Sequence, residues 1–218
     1  MNTVFSRGRI EVLQKHAAIG DEVVTVACAD SMAGQAEWLL DCLMHLHGSG
    51  RSVGEGVRLQ FGGMFMTFRR LPSNELAVCV PDVDADPFKD ETTDVSDALT
   101  VLLNQISFAE KLGVEPVETT FHDKVVIDQG CLGADKLFML RSAPSATDGD
   151  SGWFIGLQGP REPAPAFEAV FAFQLLKMRP ELAAALVLPE GFLVMVDAAG
   201  IAAVADADNR TIFTPHDR

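Results

Sequence analysis

The block from residue 148 to 153, Asp-Gly-Asp-Ser-Gly-Trp, holds the residue types most able to do chemistry in this chain. In one class of proteases the tetrad Gly-Asp-Ser-Gly surrounds a serine that attacks an acyl group after a histidine takes its proton. The chain has histidines at His16, His45, His47, His122 and His216. One hypothesis is therefore a small serine hydrolase that uses Ser151, with His122 as the best candidate base.

The surroundings of Ser151 do not complete that catalytic pattern. No histidine lies in an Ala-Ala-His-Cys segment, and Trp153 stands where trypsin-like proteases have a second glycine after the serine. The structural interpretation is stronger. Asp148 and Asp150 can accept hydrogen bonds from backbone amides, the glycines permit unusual dihedral angles, and Trp153 can fill a core where a strand begins. We therefore expect no catalytic residue in this block.

Other functional motifs are weak or absent. The chain contains neither a GxxxxGK phosphate loop nor a GxGxxG dinucleotide fingerprint, so no cofactor is predicted. His45 and His47 are two residues apart on a predicted helix and point to different faces, which argues against a metal pair. The segment "FGGMFMTF" shares Gly62, Phe65 and Phe68 with RNA-recognition strands, but these aromatic residues are better explained as core.

The charge balance excludes one class of partner and favours another. A net charge of -14 disfavours binding to a phosphate backbone, so nucleic acid is not expected as a partner. An acidic protein instead attracts basic partners. The candidate partner-binding residues are Asp82, Asp84, Asp86, Asp90 and Glu91. The alternative interpretation of this acidic loop is an ordinary solvated face.

Length and hydropathy predict a folded cytoplasmic protein. The 218 residues are 48% hydrophobic, which is enough to fill substantial cores. No apolar stretch reaches the ~20 residues that a bilayer-spanning helix needs. The amino terminus carries Arg7, Arg9 and Glu11 where an export signal needs an apolar core, so we expect neither a membrane segment nor export.

The first half of the chain is typical of a small sheet with packed helices. The segment "DEVVTVACAD" predicts a buried strand, and Asp30 and Ser31 are candidate caps of a helix from Met32 to His47. The buried face of that helix is predicted to comprise Ala36, Leu39, Leu40, Leu43, Met44 and Leu46. Alternation over 64–68 and 76–80 predicts an antiparallel pair, and a second helix follows up to Gly113. The form of the amino-terminal segment is not predicted.

The second half shows the same mixture of strands and helices. The segments "KVVIDQG" and "KLFMLRSA" are predicted to form a strand pair, and residues 153–157 another strand. Pro163 and Pro165 are predicted to precede a helix that carries Phe167 through Leu175, and Pro180 to open a second helix. The segments "GFLVMVD" and "IAAVAD" predict a terminal hairpin. The fold class is therefore α+β, with a short, mostly antiparallel sheet in each half.

The domain boundary is predicted near residues 119 and 120. The segment "VEPVETT" is typical of a connector, because Pro116 interrupts regular structure. We therefore predict an amino-terminal α+β domain of unknown family at 1–119 and a second α+β domain at 120–218.

The second half has a characteristic order of segments: a strand region from His122, the tetrad at 150–153, a helix ending in Leu-Leu, and a segment with spaced proline, leucine and glycine. In this order it resembles a bacterial family, the thirty-third class of polymorphic-toxin immunity proteins, over about residues 121 to 208. The signature residues are Asp150, Ser151, Gly152, Trp153, Pro180, Pro189 and Gly191, and we expect them to be structural.

This resemblance implies a non-enzymatic intracellular protein that neutralises a toxin by binding it, and the acidic composition favours a basic protein toxin. Two alternatives stay open. One is the serine hydrolase described above. The other is a regulatory module that binds a ligand or a protein in a cleft between the halves, near Thr119.

Overall fold

A computed structural model describes residues 12–145, 149–159 and 166–215 of the chain. The chain divides into two compact units, Met1–Thr100 and Val101–Arg218. The sequence predicts a domain boundary near residues 119 and 120. That boundary stays a prediction.

The first unit is built on one mixed sheet and a long helix. The strand order is β1-β2-β5-β4-β3, with β6 beside β5. Neighbouring strands are antiparallel except β2 and β5, which are parallel. The elements are β1 (Val12–Ile19), β2 (Glu22–Ala29), α1 (Ala33–Gly48), β3 (Arg58–Phe61), β4 (Met64–Arg70), β5 (Leu76–Pro81), β6 (Glu91–Thr92) and the start of α2 (Ser96–Leu112).

The core of the first unit forms where β2 and β5 lie at the centre of the sheet. Residues 24–28 and 76–80 are continuously buried, as expected for central strands that are covered on both faces. The helix α1 adds the buried side chains Ala36, Leu39, Leu40 and Leu43. The predicted antiparallel pairing of β4 with β5 is confirmed.

Three features of the first unit differ from the sequence predictions. β1 was not foreseen, because only Ile19 of its side chains is buried and the strand is held by backbone pairing along β2. Asp30 and Ser31 do not cap α1; they lie in a 3-10 turn, and the cap residue is Met32. Met44 is 40% exposed rather than buried, because the face of α1 that meets the sheet is narrower than the apolar pattern.

The second unit contains a seven-stranded sheet in the order β10-β7-β9-β8-β11-β12-β13. Only the β7–β9 pair is parallel among these neighbours. The elements are β7 (Lys124–Asp128), β8 (Leu137–Arg141), β9 (Asp150–Leu157), β10 (Phe167–Phe171), α3 (Ala172–Met178), β11 (Leu193–Asp197), β12 (Gly200–Ala205) and β13 (Thr211–Phe213). Short 3-10 helices cover Cys131–Gly133 and Pro180–Val187. The predicted β11–β12 hairpin is confirmed.

The predicted pairing of β7 with β8 is wrong, because β9 lies between them. β9 pairs with β7 in parallel and with β8 antiparallel. The alternation of apolar residues shows that each segment is a strand, but it does not specify which strands are neighbours. The strand that carries the signature tetrad is therefore a central member of the sheet.

The helix predicted over Phe167 to Leu175 is also partly wrong. Phe167–Phe171 is the edge strand β10, paired along its length with β7, and the helix begins at Ala172. Apolar residues at 167, 170 and 171 have helical spacing, but a pairing partner in the sheet overrides that local preference. The Gln174 side chain accepts a hydrogen bond from the Phe171 amide at 2.8 Å and so fixes the start of α3. Pro163 and Pro165 lie outside the described residues.

The α+β class with two sheet-based halves is confirmed. In the second unit the helical segments pack on one face of the sheet, where Leu175, Leu182 and Leu186 join Trp153 and Ile155 in the core. Within the described part of the chain, no helix combines the length and apolar character needed to cross a bilayer.

Candidate functional site

Trp153 places the signature tetrad in the core of the second unit. It is the fourth residue of β9 and is 1% exposed. Its indole Nε1 donates a hydrogen bond to the Leu186 carbonyl at 3.2 Å. A buried tryptophan needs such a partner for its one N–H group, and this bond joins the sheet to the 3-10 helix Pro180–Val187.

The Ser151 hydroxyl is used to join β9 to β7. Ser151 is 2% exposed, and its Oγ donates to the Lys124 carbonyl at 2.6 Å. The same oxygen accepts the Trp153 amide at 3.1 Å. No histidine of the described residues lies within hydrogen-bonding distance of this oxygen. A nucleophilic serine instead needs an accessible hydroxyl whose proton can pass to a base.

The Asp150 carboxylate closes the loop that leads into β9. Its Oδ2 accepts the Ser145 amide at 2.6 Å, and its Oδ1 accepts the Gly152 amide at 2.9 Å. Donation from the Ser145 amide, followed by that from Gly152, lowers the pKa of Asp150. The predicted role of Asp148 falls outside the described residues.

Gly152 occupies a position that a side chain cannot share. Its φ is +74°, and a Cβ there would lie 2.1 Å from the Ser142 carbonyl oxygen. The two backbones approach closely because the Ser142 amide donates to the Gly152 carbonyl at 2.9 Å. Glycine is therefore required both by its dihedral angle and by the lack of space.

Arg141 is the central polar group of this region, although no sequence motif marked it. It is 3% exposed and its guanidinium donates to four backbone carbonyls: Val117 at 2.9 Å, Glu118 at 3.1 Å, Leu186 at 3.4 Å and Leu188 at 2.7 Å. Burial lowers the pKa of Arg141, because desolvation disfavours the charged form. The only sequence feature that could have indicated a buried role for Arg141 is its position directly after the apolar run "LFML".

Leu186 provides the carbonyl on which these contacts converge. Its oxygen accepts from Arg141 Nη1, Trp153 Nε1 and the Thr119 hydroxyl, the last at 2.7 Å. Thr119 is 1% exposed and lies in the segment predicted to be a connector. Pro180 begins the 3-10 helix that presents this carbonyl, as its fixed φ allows at a first helical position.

The remaining signature residues form the turn that leads into β11. The Pro189 carbonyl accepts the Phe192 amide at 3.4 Å, and Gly191 between them has φ +84°. A Cβ on Gly191 would lie 2.7 Å from the Ala207 Cβ. The Gly191 amide donates to the Arg141 carbonyl at 2.8 Å, so this turn is also attached to the end of β8.

The acidic loop of the first unit is organised by its own carboxylates. Asp82 accepts the Asp84 amide at 2.9 Å, Asp86 accepts the Phe88 amide at 3.1 Å, and Asp90 accepts the Asp86 amide at 3.2 Å. These are short-range turns of the kind that aspartate favours. The sequence placed these residues together, and the structure keeps them in one loop between β5 and β6.

Two further side-chain contacts involve the acidic residues, and only one of them brings a positive charge. Lys89 donates to Asp86 at 2.7 Å, and this donation, with that of the Phe88 amide, lowers the pKa of Asp86. Glu91 accepts the Thr67 hydroxyl at 2.8 Å and so joins β6 to β4. Asp84, Asp90 and Glu91 are exposed. The loop therefore presents several carboxylates to solvent from a defined backbone.

The chemistry available to the signature region is hydrogen bonding within the fold. Its polar groups, from Ser151 to Arg141, contact backbone atoms of neighbouring segments. Among the described residues, no group of three or more histidine, cysteine, aspartate or glutamate side chains is placed to hold a metal. The signature residues Asp150, Ser151 and Trp153 all take part in this hydrogen bonding. Arg141 and Thr119 belong to the same region, and only the structure reveals them.

Replacing Gly152 by alanine should lower the free energy of unfolding by more than about 2 kcal/mol, because the new Cβ meets backbone in a strained conformation. Gly130→Ala has a positive φ of 75° but open space, and should cost only about 1 kcal/mol. Gly133→Ala has neither problem and should be nearly neutral. Urea unfolding monitored by tryptophan fluorescence measures all three, and equal losses for Gly152 and Gly130 would contradict the close-approach argument.

Arg141→Met should lower the free energy of unfolding by about 3–5 kcal/mol, because buried carbonyls lose their donors. Arg141→Lys should cost less, since an ammonium can still serve some of these acceptors. The control is Arg210→Met, which removes exposed ion pairs with Asp206 and Asp208 and should cost much less, because solvent screens both pairs. Chemical denaturation measures the differences. A loss for Arg141→Met no larger than that of the control would show that the carbonyls are not held by this guanidinium.

Asp150→Asn should destabilise the protein at neutral pH by roughly 1–2 kcal/mol, because one amide loses its acceptor. The folded-state pKa of Asp150 is lowered, so its contribution is fully present above the unfolded value of about 3.9 and is lost as pH falls through the folded pKa. The gap between wild type and variant should therefore narrow in acid. Asp135→Asn, at an exposed position, is the charge-matched control. A gap that stays constant with pH would refute the carboxylate's role.

The second half of the chain has a recognisable family. Residues 104–207 match the family model of the Imm33-like domain. No curated protein and no solved structure matches the chain. The matched segment contains the whole signature and begins inside α2, earlier than the residue 121 expected from the sequence. The resemblance of the second half to this family is thus confirmed over residues 104–207.

Proposed function

We propose that this protein is a non-enzymatic binding protein that neutralises a toxin by occupying it, and that it does so in the cytoplasm. The family of its second half is of the immunity type. The observation that carries the proposal is an apolar surface on the second unit, on the sheet face opposite the helices. We call this surface the outer face and define it by Val126, Phe138, Leu140, Phe154 and Phe167.

The outer face is continuous across four strands. Val126 on β7 is the direct neighbour of Phe154 on β9, which is the direct neighbour of Leu140 on β8. The Phe154 ring lies 5.7 Å from the Phe138 ring and 5.8 Å from the Phe167 ring. Phe167 on β10 extends this row to the edge of the sheet. The residues therefore form one patch and are not scattered apolar positions.

Several members of the outer face are substantially exposed. Phe167 is 64% exposed, Val126 38% and Leu140 36%. Contiguous exposed apolar patches on folded proteins mark interaction sites, and aromatic side chains contribute most of the binding energy in protein interfaces. A strand-borne surface is also rigid, which lowers the entropic cost of association. These properties support a protein partner rather than a small substrate.

The charge of the chain supports a basic partner. The net charge of -14 and the carboxylates of the acidic loop favour long-range attraction of a positively charged toxin. Electrostatic attraction of this kind raises association rates more than it raises affinity. We propose that Asp82, Asp84, Asp86, Asp90 and Glu91 act in this way, with the outer face providing the short-range contact.

We propose that the signature residues act as scaffold for the sheet that presents the outer face. Support comes from their contacts: Ser151 joins β9 to β7, Trp153 joins β9 to the 3-10 helix, and Gly191 joins its turn to β8. Pro180, Pro189, Asp150 and Gly152 shape the connecting backbone. In this arrangement the inner side of the sheet supplies stability and the outer face supplies recognition.

The test is to express the products of genes adjacent to this one, singly and with this protein. We expect one neighbour to arrest growth and this protein to restore it, with protection only when it is present in at least equimolar amount. A binding antidote is consumed one for one, whereas an enzyme protects below stoichiometry. Protection at a small molar fraction, or the absence of any toxic neighbour, would reject the proposal.

Substitutions on the outer face test whether it is the surface that contacts the toxin. Phe167→Ser combined with Leu140→Ser should weaken toxin binding by about thirtyfold or more, as expected for the loss of interface anchors. The matched control is Met178→Ser, which removes a 55% exposed apolar side chain from α3. Calorimetric titration measures affinity, and thermal unfolding checks that all variants fold. If the control weakens binding as much as the double variant, the outer face is not the contact surface.

A further inference from the structure

The first unit contains a groove that the proposed function does not use. It lies between α1 and β3 and has a volume of about 490 Å³. Its lining includes Gln60 and Phe61 of β3 and, from α1, Trp38, Asp41, Cys42, His45 and Leu46. A volume of this size accommodates several side chains or a small ligand. All of these residues belong to the first unit, outside the segment matched by the Imm33-like domain.

The groove residues of α1 form a stripe of their own. Positions 38, 41, 42, 45 and 46 are spaced by three and four residues and so share one side of the helix. They differ from the buried stripe that packs on the sheet, Ala36, Leu39, Leu40 and Leu43. The helix therefore carries a second apolar and acidic stripe that the core of the unit does not require.

Two aromatic rings define one wall of the groove. Trp38 is 43% exposed, and its ring meets Phe61 on β3 at a centroid distance of 6.5 Å and an interplanar angle of 81°. Rings in this edge-to-face arrangement do not cover one another as stacked rings do. An exposed indole beside a carboxylate attracts cations, because the face of the ring carries partial negative charge.

The charged residues of the groove favour an occupant with a positive charge. Asp41 is three residues from Trp38, which on a helix places their Cβ atoms about 5–6 Å apart. Neither lysine nor arginine is among the residues that line the groove. A guanidinium suits this setting better than an ammonium, because its plane stacks on an aromatic ring while its N–H groups donate to a carboxylate.

We propose that this groove binds an arginine side chain presented by a protein partner, with Trp38 and Phe61 packing on the guanidinium and its methylene stem and Asp41 accepting its hydrogen bonds. The inference assigns the first unit a recognition site of its own. It is independent of the toxin-binding proposal, which rests on the outer face of the second unit, and either can fail without the other.

The experiment follows the indole N–H signals of the full chain by NMR during titration with the tripeptide acetyl-Gly-Arg-Gly-amide. The chain has two tryptophans, Trp38 and Trp153, and the variant Trp38→Phe assigns their signals. We expect the Trp38 signal to move and saturate at millimolar peptide, as suits a single side chain, while the signal of the buried Trp153 stays still. The same peptide with citrulline, which keeps the shape but loses the charge, should bind at least tenfold more weakly.

Two variants of matched charge test the carboxylate. Asp41→Asn should weaken binding of the arginine peptide by about three- to tenfold, the range of a charge-assisted contact made by an exposed carboxylate. Asp21→Asn removes an exposed carboxylate from the turn between β1 and β2 and should have no effect. Trp38→Leu should weaken binding by a similar factor, and circular dichroism confirms that each variant folds.

Four outcomes would overturn the proposal. Equal binding of the arginine and citrulline peptides would make the groove an apolar site, and equal effects of Asp41→Asn and Asp21→Asn would reduce the attraction to overall charge. Tighter binding of free arginine than of the tripeptide would indicate a site for the amino acid itself. A Trp38 signal that moves with protein concentration alone would indicate a second copy of the chain as the occupant.

Discussion

A buried positive charge sets the strongest constraint on the second unit. The Arg141 guanidinium is almost fully removed from water, so its hydrogen bonds must be completed within the protein. The carbonyls that complete them come from two separate segments, at 117–118 and at 186–188. Both segments are thereby fixed against the end of β8. Trp153 and Thr119 then donate to the same Leu186 carbonyl, which couples the position of β9 to this arrangement.

In the proposed function, the two faces of the sheet in the second unit have different roles: the inner face stabilises the fold and the outer face binds the partner. The inner face carries Trp153 and the other core residues, and the signature residues predicted from the sequence lie there or in the turns beside it. The outer face carries exposed apolar side chains that belong to no motif. We therefore expect the signature residues to serve the fold of the domain. The identity of a partner is expected to depend on surface residues, which can change without loss of the scaffold.

The acidic loop shows that structural and electrostatic roles are compatible. Asp82, Asp86 and Asp90 each accept a backbone amide nearby, which shapes the loop between β5 and β6. A hydrogen bond to an amide leaves the carboxylate charged, and in the case of Asp86 the donors lower its pKa and so favour that charge. The same side chains can therefore hold the backbone and contribute to the negative field that acts on a distant partner.

The sequence by itself determined the α+β class, most strands and the family of the second half, because alternation, helical spacing and motif order are local properties. It also marked Gly152 and Trp153, because glycine permits unusual dihedral angles and a tryptophan at the start of a strand can fill a core. Tertiary structure alone decided that β9 separates β7 from β8 and that Phe167 lies on an edge strand, since pairing joins residues far apart in the chain. It also decided that Arg141 is buried and that the Ser151 hydroxyl bonds a carbonyl, because both depend on backbone atoms that carry no sequence signal.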